Sequence, residues 1–327
     1  MTILVTGGAG YIGSHMVHTL NDAGERVVVI DNLSTGFREA LPANVPLVVG
    51  DVGDLELVSQ TLAEHRIEAI IHFAGSIVVP ESVADPLKYY RNNTASSRTL
   101  IEAAVARGVK YFIFSSTAAV YGDPDHIPVT EDETLKPMSP YGRSKLMTEM
   151  MLADTGTAYD KFRYAALRYF NVAGADPQMR TGQSTPMATH LIKVAVQTAL
   201  GMRKSMDVYG TDYPTSDGTC IRDYIHVSDL ARAHADVLHY LRDGSSSVTL
   251  NCGYGHGFSV LEVIETVKKV SGVNFQVNLG PRRPGDPAQI VAASDRARSL
   301  LGWTPQFDDL ELIVANALAW EKKLLGK

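Results

Sequence analysis

Cysteine is nearly absent: two residues, Cys220 and Cys252, stand far apart with no CxxC. That spacing implies neither a disulfide framework nor a zinc site, and it predicts two reduced thiols in a cytoplasmic protein. Runs of one charge are missing too. The 30 basic residues face 36 acidic ones, net -6, and no basic run is longer than Arg282-Arg283 or Lys268-Lys269. Nucleic acid is thereby discarded as the main partner. No apolar run approaches membrane-spanning length, and MTILVTGG at the start lacks the features of a leader and reads as a strand, so no membrane partner is expected. Low-complexity blocks and internal repeats are also lacking. What remains is a globular composition, 45% apolar and 20% charged, in 327 residues, for which roughly 150 residues per domain suggests two domains.

Short β-branched runs alternate with longer amphipathic stretches: Thr2–Thr6, Tyr11–Ala23, Arg26–Asp31, Leu47–Gly50, Leu55–His65 and Ala69–Ala74. This rhythm predicts an α/β fold, a doubly wound parallel sheet of Rossmann type covered by helices on both faces. It continues through helices at Pro86–Arg107 and Pro140–Asp154 and strands at Tyr111–Ser115 and Tyr164–Phe170. Beyond Asn171 the texture changes to loops rich in Gly, Pro, Ser and Thr, with helices near Met187–Leu200 and Val227–Leu241, a strand at Val248–Asn251 and a capping box at Ser259 and Glu262. The expected division is a dinucleotide-binding domain over 1–170, with a returning segment near 218–246, and a smaller α/β substrate domain over 171–217 and 247–327.

Gly7-Gly8-Ala9-Gly10-Tyr11-Ile12-Gly13 follows a strand and opens a helix. Glycines there permit a tight turn and close approach of a pyrophosphate, whose charge the helix N-terminus stabilises. Asp31 ends the second strand, placed to accept bonds from adenosine ribose hydroxyls and to repel a 2′-phosphate, which favours NAD over NADP. Asp51-Val52 and Phe73-Ala74-Gly75 end the next two strands and border the same cleft, with Asp51 placed for the adenine amino group. Tyr141 and Lys145 share one helix face, with Ser139 as N-cap and Pro140 in the first turn. A free phenol with a pKa near 10 is a poor base at neutral pH, so a nearby cation is required. Ser115-Ser116-Thr117 ends the fifth strand, where the Thr117 hydroxyl bridges a substrate alcohol and Tyr141. The pairs His15/His18 and His234/His239 lack the partners of a zinc helix and read as structural, and Arg38 as a solvated surface residue.

TGGAGYIGSH at Thr6–His15, DNLSTG at Asp31–Gly36, SSTAAVYG at Ser115–Gly122, YGRSK at Tyr141–Lys145, RYFNVAGA at Arg168–Ala175, RDYIHVSDLA at Arg222–Ala231 and RRPGD at Arg282–Asp286 closely resemble the UDP-glucose 4-epimerases, within the extended short-chain dehydrogenase/reductases. The resemblance runs in order through nearly the whole chain. It implies an isomerase that oxidises C4 of a UDP-hexose transiently, lets the 4-keto sugar turn and returns the hydride. Thr117 and Tyr141 then fall at the catalytic hydroxyl and base positions, and Lys145 holds the nicotinamide ribose. Gly7, Gly10, Tyr11, Ile12, Gly13, Asp31, Asn32, Asp51, Val52, Phe73, Ala74, Gly75 and Ser115 match cofactor positions. Asn92 and Tyr169 match positions near the nicotinamide. Asn171, His190, Arg222, Arg283 and Asp286 match positions that grip the nucleotide sugar, the arginines on the diphosphate. A homodimer built by the helices at Pro86–Arg107 and Pro140–Asp154 is also implied.

The chain departs from the family pattern at Ile77, where many members carry Lys, which implies one ionic contact fewer to the cofactor. Near Ile290 the family has a position whose size gates an N-acetyl sugar. Epimerases of UDP-pentoses, uronates or N-acetylhexosamines are the neighbouring alternatives. A nucleotide-sugar 4,6-dehydratase would carry an Asp-Glu pair after the Thr, where Ala118-Ala119 stand, and a non-catalytic NAD-binding sensor would have lost Tyr141 or Lys145.

Overall fold

The computed structural model describes residues 1–186, 188–283 and 285–326. The first half alternates β1 (Thr2–Thr6), α1 (Tyr11–Asp22), β2 (Arg26–Asp31), β3 (Leu47–Val49), α2 (Leu55–Glu64), β4 (Ile67–His72), α3 (Val79–Ala84), α4 (Pro86–Tyr89), α5 (Ser96–Ala106), β5 (Tyr111–Thr117), α6 (Pro140–Ala158) and β6 (Arg163–Tyr169). There follow β7 (Asn171–Ala173), α7 (Leu191–Ala199), β8 (Met206–Tyr209), β9 (Ile221–Arg222), β10 (Tyr224–His226), α8 (Val227–Arg242), β11 (Val248–Cys252), β12 (Phe258–Ser259), α9 (Val260–Ser271), β13 (Val277–Gly280), β14 (Gln289–Ile290), α10 (Asp295–Leu301) and α11 (Leu310–Leu324).

Seven strands form one parallel sheet in the order β11-β6-β5-β4-β1-β2-β3. Successive residues of a strand point to opposite faces, and here both faces are covered, so the strand interiors are largely apolar and their buried polar residues, such as Thr6, His72 and Arg168, are hydrogen-bonded. Ile3, Val5, Val29 and Ile71 pack with Met16 and Val17 of α1 and Leu230 and Val237 of α8. Leu4, Val28, Ile30 and Ile70 pack on the other side with Val58 of α2, Leu100 of α5 and Leu152 of α6. From β1 the chain winds outward to β2 and β3, then crosses back to β4. The switch point between β1 and β4 opens a crevice at the carboxyl ends of the strands, where open α/β sheets bind ligands.

Local signals set several boundaries. The Ser139 Oγ accepts the Gly142 N–H at 3.1 Å and Pro140 opens α6. Ser259 and Glu262 form the expected capping box of α9, which stops at Gly272 with φ 71°. The helix expected over Pro86–Arg107 is helical as far as Ala106, but Tyr90–Ala95 forms a π-helical turn that alters its phase. α6 runs on to Ala158, past the expected end at Asp154. Met187, expected to begin a helix, lies outside the described residues, and the helix there starts at Leu191. β11 lies at the edge of the large sheet, beside β6, so the segment expected to begin the second stretch of the substrate domain belongs to the sheet instead. The remaining strands make small sheets, β12-β9-β14, β10-β7 and β13-β8. Strands of two to four residues are too short to show a period, which is why the sequence pattern did not reveal them. Among the described residues no helix is long and apolar enough to cross a membrane.

Candidate active site

The glycine turn is shaped by contact. Gly7 sits at φ 68°, and a Cβ there would lie 2.6 Å from the Ala74 nitrogen; a Cβ on Gly13 would lie 2.1 Å from the Gly7 carbonyl oxygen. The end of β1 is thereby pressed against the segment Phe73–Gly75 after β4. α1 opens at Gly10 with no side-chain cap and no acidic residue in its first turn, which leaves its N–H groups for an anion. Asp31 is buried at the end of β2, where its carboxylate accepts from Ala9 N at 2.9 Å and Leu33 N at 2.8 Å. Burial raises its pKa, and these bonds oppose the rise. A diphosphate on the helix start and a ribose on the buried carboxylate fit this arrangement. Asn32 and Asp51 shape turns with their side chains, through Ser34 N at 3.1 Å and Gly53 N at 2.7 Å. The Tyr11 hydroxyl donates to the Gly174 carbonyl at 2.7 Å, so this side chain ties the glycine turn to the second half of the chain. Val52 is buried.

β5 and α6 bring Thr117, Tyr141 and Lys145 together. Tyr141 is 8% exposed and Lys145 3% exposed. Burial raises the Tyr141 pKa, opposed by a hydrogen bond with Thr117. Lys145 Nζ donates to the Ser115 carbonyl at 2.9 Å and lies 4.9 Å from the centre of the Phe114 ring. Burial pulls its pKa down to about 8, against the field of Glu149. Tyr141 stands in the first turn of α6, where the helix dipole favours an anion.

Around this pair, Asn92 Nδ2 donates to Ser76 Oγ at 3.1 Å, and the Tyr169 hydroxyl bonds to Ser115 Oγ. The neighbouring Asn93 was not anticipated. Its Oδ1 accepts from Ser76 N at 2.7 Å, and its Nδ2 donates to the Ser76 carbonyl at 2.9 Å and to Ser144 Oγ at 3.0 Å, clamping the loop after Gly75 onto α6. A Cβ on Gly75 would meet Asn93 Oδ1 at 2.8 Å, so the glycine has a steric reason. The π-turn that presents both asparagines has no sequence signal of its own. Phe73 packs on His234, ring centres 4.8 Å apart, and His234 bonds the Leu230 carbonyl through Nδ1. His15 and His18 likewise bond backbone carbonyls, of Tyr11 and Ala40. Among the described residues no group of three or more His, Cys, Asp or Glu side chains is placed to hold a metal.

Asp286 pairs with Arg283 at 3.0 Å and approaches Arg222 at 3.9 Å, so these three residues gather. Arg283 lies over the Tyr209 ring at 4.8 Å. Ile290 is the register partner of Arg222 and packs in a cluster with Ala118 and Val120. Asn171 and His190 are exposed on a common cavity with Tyr11, Tyr224 and Trp320.

A doubly wound sheet that carries a glycine turn and a Tyr-Lys helix at its carboxyl edge defines a nicotinamide-dinucleotide enzyme of the extended short-chain dehydrogenase class. Residues 3–253 match the NAD dependent epimerase/dehydratase family, and the chain belongs to that family, with NAD as its cofactor. Over 322 residues it is 59% identical to a UDP-glucose 4-epimerase of Azospirillum brasilense, covering 98% of this chain and 92% of the relative. It is 47% identical to a UDP-glucose 4-epimerase of Lacticaseibacillus casei, covering 98% and 97%. It also superposes on the UDP-glucose 4-epimerase of Brucella ovis in complex with NAD, with a TM-score of 0.94, 42% identity and 97% of each chain covered.

Proposed function

We propose that the protein interconverts UDP-glucose and UDP-galactose by epimerisation at C4. The observation that carries this reading is the convergence of Thr117, Tyr141 and Lys145 beside the glycine turn, supported by the cluster of Arg222, Arg283 and Asp286. The named relatives support it. Bound NAD, held by the glycine turn, Asp31 and Lys145, supplies an acceptor that takes the C4 hydride and gives it back. Tyr141 Oη takes the O4 proton, with the Thr117 hydroxyl bridging the two oxygens. Lys145, anchored on the Ser115 carbonyl, and the N-terminus of α6 favour the phenolate against its burial. Arg222 and Arg283 hold the diphosphate, and Asn171 and His190 contact the nucleotide sugar from the cavity they share with Tyr11, so the UDP end is fixed and the hexose can turn. Dehydration is disfavoured, since Ala118 and Ala119 offer no acid or base to expel a C6 hydroxyl.

The large sheet serves the cofactor, and the segments around α7, α9 and β14 serve the sugar nucleotide. A homodimer is supported by exposed apolar side chains along α3, α4 and α6: Val83 at 66%, Leu87 at 77% and Met150 at 59%. The buried, unpaired Cys220 and Cys252 fit a reducing cytoplasm. The test is to incubate the protein with UDP-galactose, without added cofactor, and follow the sugar by proton NMR. UDP-glucose should form, and Tyr141→Phe should abolish it. No conversion even with added NAD refutes the reading and directs the search to UDP-N-acetylhexosamines, UDP-pentoses and uronates.

A further inference from the structure

Behind Tyr141 and Lys145 lies a buried ionic assembly that the mechanism above does not use. α6 presents Tyr141, Lys145 and Glu149 at four-residue intervals, on one face and all buried. β5 meets this row with three consecutive residues: Thr117 faces Tyr141 and acts to lower its pKa, the Ser115 carbonyl accepts from Lys145, and Ser116 Oγ donates to Glu149. Arg168 of β6 donates to the same carboxylate three times, from Nη2 to Oε2 at 2.6 Å and from Nε to Oε1 at 3.1 Å and Oε2 at 3.2 Å. Arg168 Nη1 then donates to the Tyr121 hydroxyl at 3.0 Å, which donates to Asn251 Oδ1 of β11 at 2.7 Å. One hydrogen-bonded network thus ties α6, β5, β6 and β11 together beneath the reacting hydroxyls.

The surroundings of Lys145 make one member of this network distinctive. Its own helix supplies Tyr141 and Glu149. β5 supplies the Ser115 carbonyl and the Phe114 ring, β4 the His72 imidazole, and β6 supplies Tyr169 through Ser115 and Arg168 through Glu149. His72 is kept neutral by burial, its pKa pulled down to about 3. Among these groups Glu149 is the anion. We propose that Glu149 is a positioning residue for the C4 chemistry: it fixes Ser116, and so Thr117, in register with Tyr141, and supplies the negative charge that faces Lys145. The proposal rests on the epimerase reading only for the roles given to Tyr141 and Lys145.

Buried Arg-Glu pairs can be replaced by neutral side chains without loss of the fold, whereas removing one partner leaves a buried charge uncompensated. The decisive variant is therefore Glu149→Gln combined with Arg168→Met, made in the full chain as purified. Two readouts apply: the pH profile of kcat/KM for UDP-galactose, and the ultraviolet tyrosinate titration of each protein minus that of its Tyr141→Phe derivative, which needs no turnover. The expected result is a kcat at least ~10-fold lower, an alkaline limb moved by roughly one pH unit toward acid as Lys145 loses its proton earlier, and a Tyr141 ionisation displaced upward. Wild-type kcat, pH profile and titration in a folded double variant would overturn the proposal and leave the pair a packing device. Ser116→Ala, which keeps both charges paired, covers the case of a double variant that does not fold: kcat should fall several-fold with KM unchanged, and an unchanged kcat overturns the proposal. If the unmodified protein leaves UDP-galactose untouched, the epimerase reading fails while the tyrosinate titration still decides the role of Glu149.

Discussion

Replacing Lys145 by Met is expected to make the protein more stable and less active at the same time. Lys145 is almost fully buried, and its pKa falls from 10.5 to about 8 on folding. The unfolded chain therefore binds this proton more tightly than the folded one, and at neutral pH the folded state carries a penalty of about 3 kcal/mol, at roughly 1.4 kcal/mol per unit. The penalty fades as pH rises between the two pKa values and is about 1.4 kcal/mol near pH 9.5. Met keeps an unbranched apolar stem without the charge. It leaves the Ser115 carbonyl without its donor, a cost of about 1–2 kcal/mol that does not vary with pH. Wild type and variant are to be compared by urea unfolding, followed through the buried Trp303 and Trp320, at about pH 7 and about pH 9.5. The variant should be about 1–2 kcal/mol more stable at the lower pH, and the difference should shift by about 2 kcal/mol against it at the higher one. Epimerisation should fall by ~10²-fold or more. A stability difference that does not change with pH, or that moves the other way, would refute the claim that Lys145 is held as a buried cation.

Tyr141→Phe keeps the ring against Tyr89, 6.4 Å between centres, and should reduce turnover by ~10³-fold or more with an unchanged melting temperature; substantial residual turnover would assign the proton to another group. Gly13→Ala forces a Cβ to within 2.1 Å of the Gly7 carbonyl oxygen, so the turn must open, at about 1–3 kcal/mol. The protein should then purify without NAD, and full NAD occupancy, read from bound nucleotide released by denaturation, would argue against the role given to this turn. Arg283→Ala removes a charge-assisted contact worth about 1.5–3 kcal/mol and should raise KM for UDP-galactose ~10- to 100-fold with kcat little altered; a loss confined to kcat would place Arg283 at the sugar instead. Leu87→Lys with Met150→Lys should shift the molecular mass measured by light scattering to that of a monomer, and a variant mass equal to that of the wild type would place any interface elsewhere.

The doubly wound sheet was legible because strands buried on both faces must be largely apolar and each covering helix amphipathic. Those patterns repeat at short range from Thr2 to Tyr169. The glycine turn, Asp31, Thr117 and the Tyr141-Lys145 spacing were legible for a similar reason: each is a short motif joined to one strand end or one helix. Asn93 was not legible, because the π-turn that aims it at Ser76 and Ser144 has no composition of its own. Nor was β11, since the sequence shows a strand there but not the sheet to which it belongs.

The sequence by itself determined the elements of the large sheet, the chemistry available at its edge and the nucleotide class that this edge suits, all of which follow from local periodicity and side-chain type. Tertiary structure alone decided which buried charges meet. Glu149 and Arg168 are 19 residues apart in the chain and 2.6 Å apart in space, and Lys145 becomes a buried cation with a lowered pKa only once β5 and α6 enclose it. Burial and partner charge set a pKa, and both are properties of the packed chain, with no counterpart in the order of its residues.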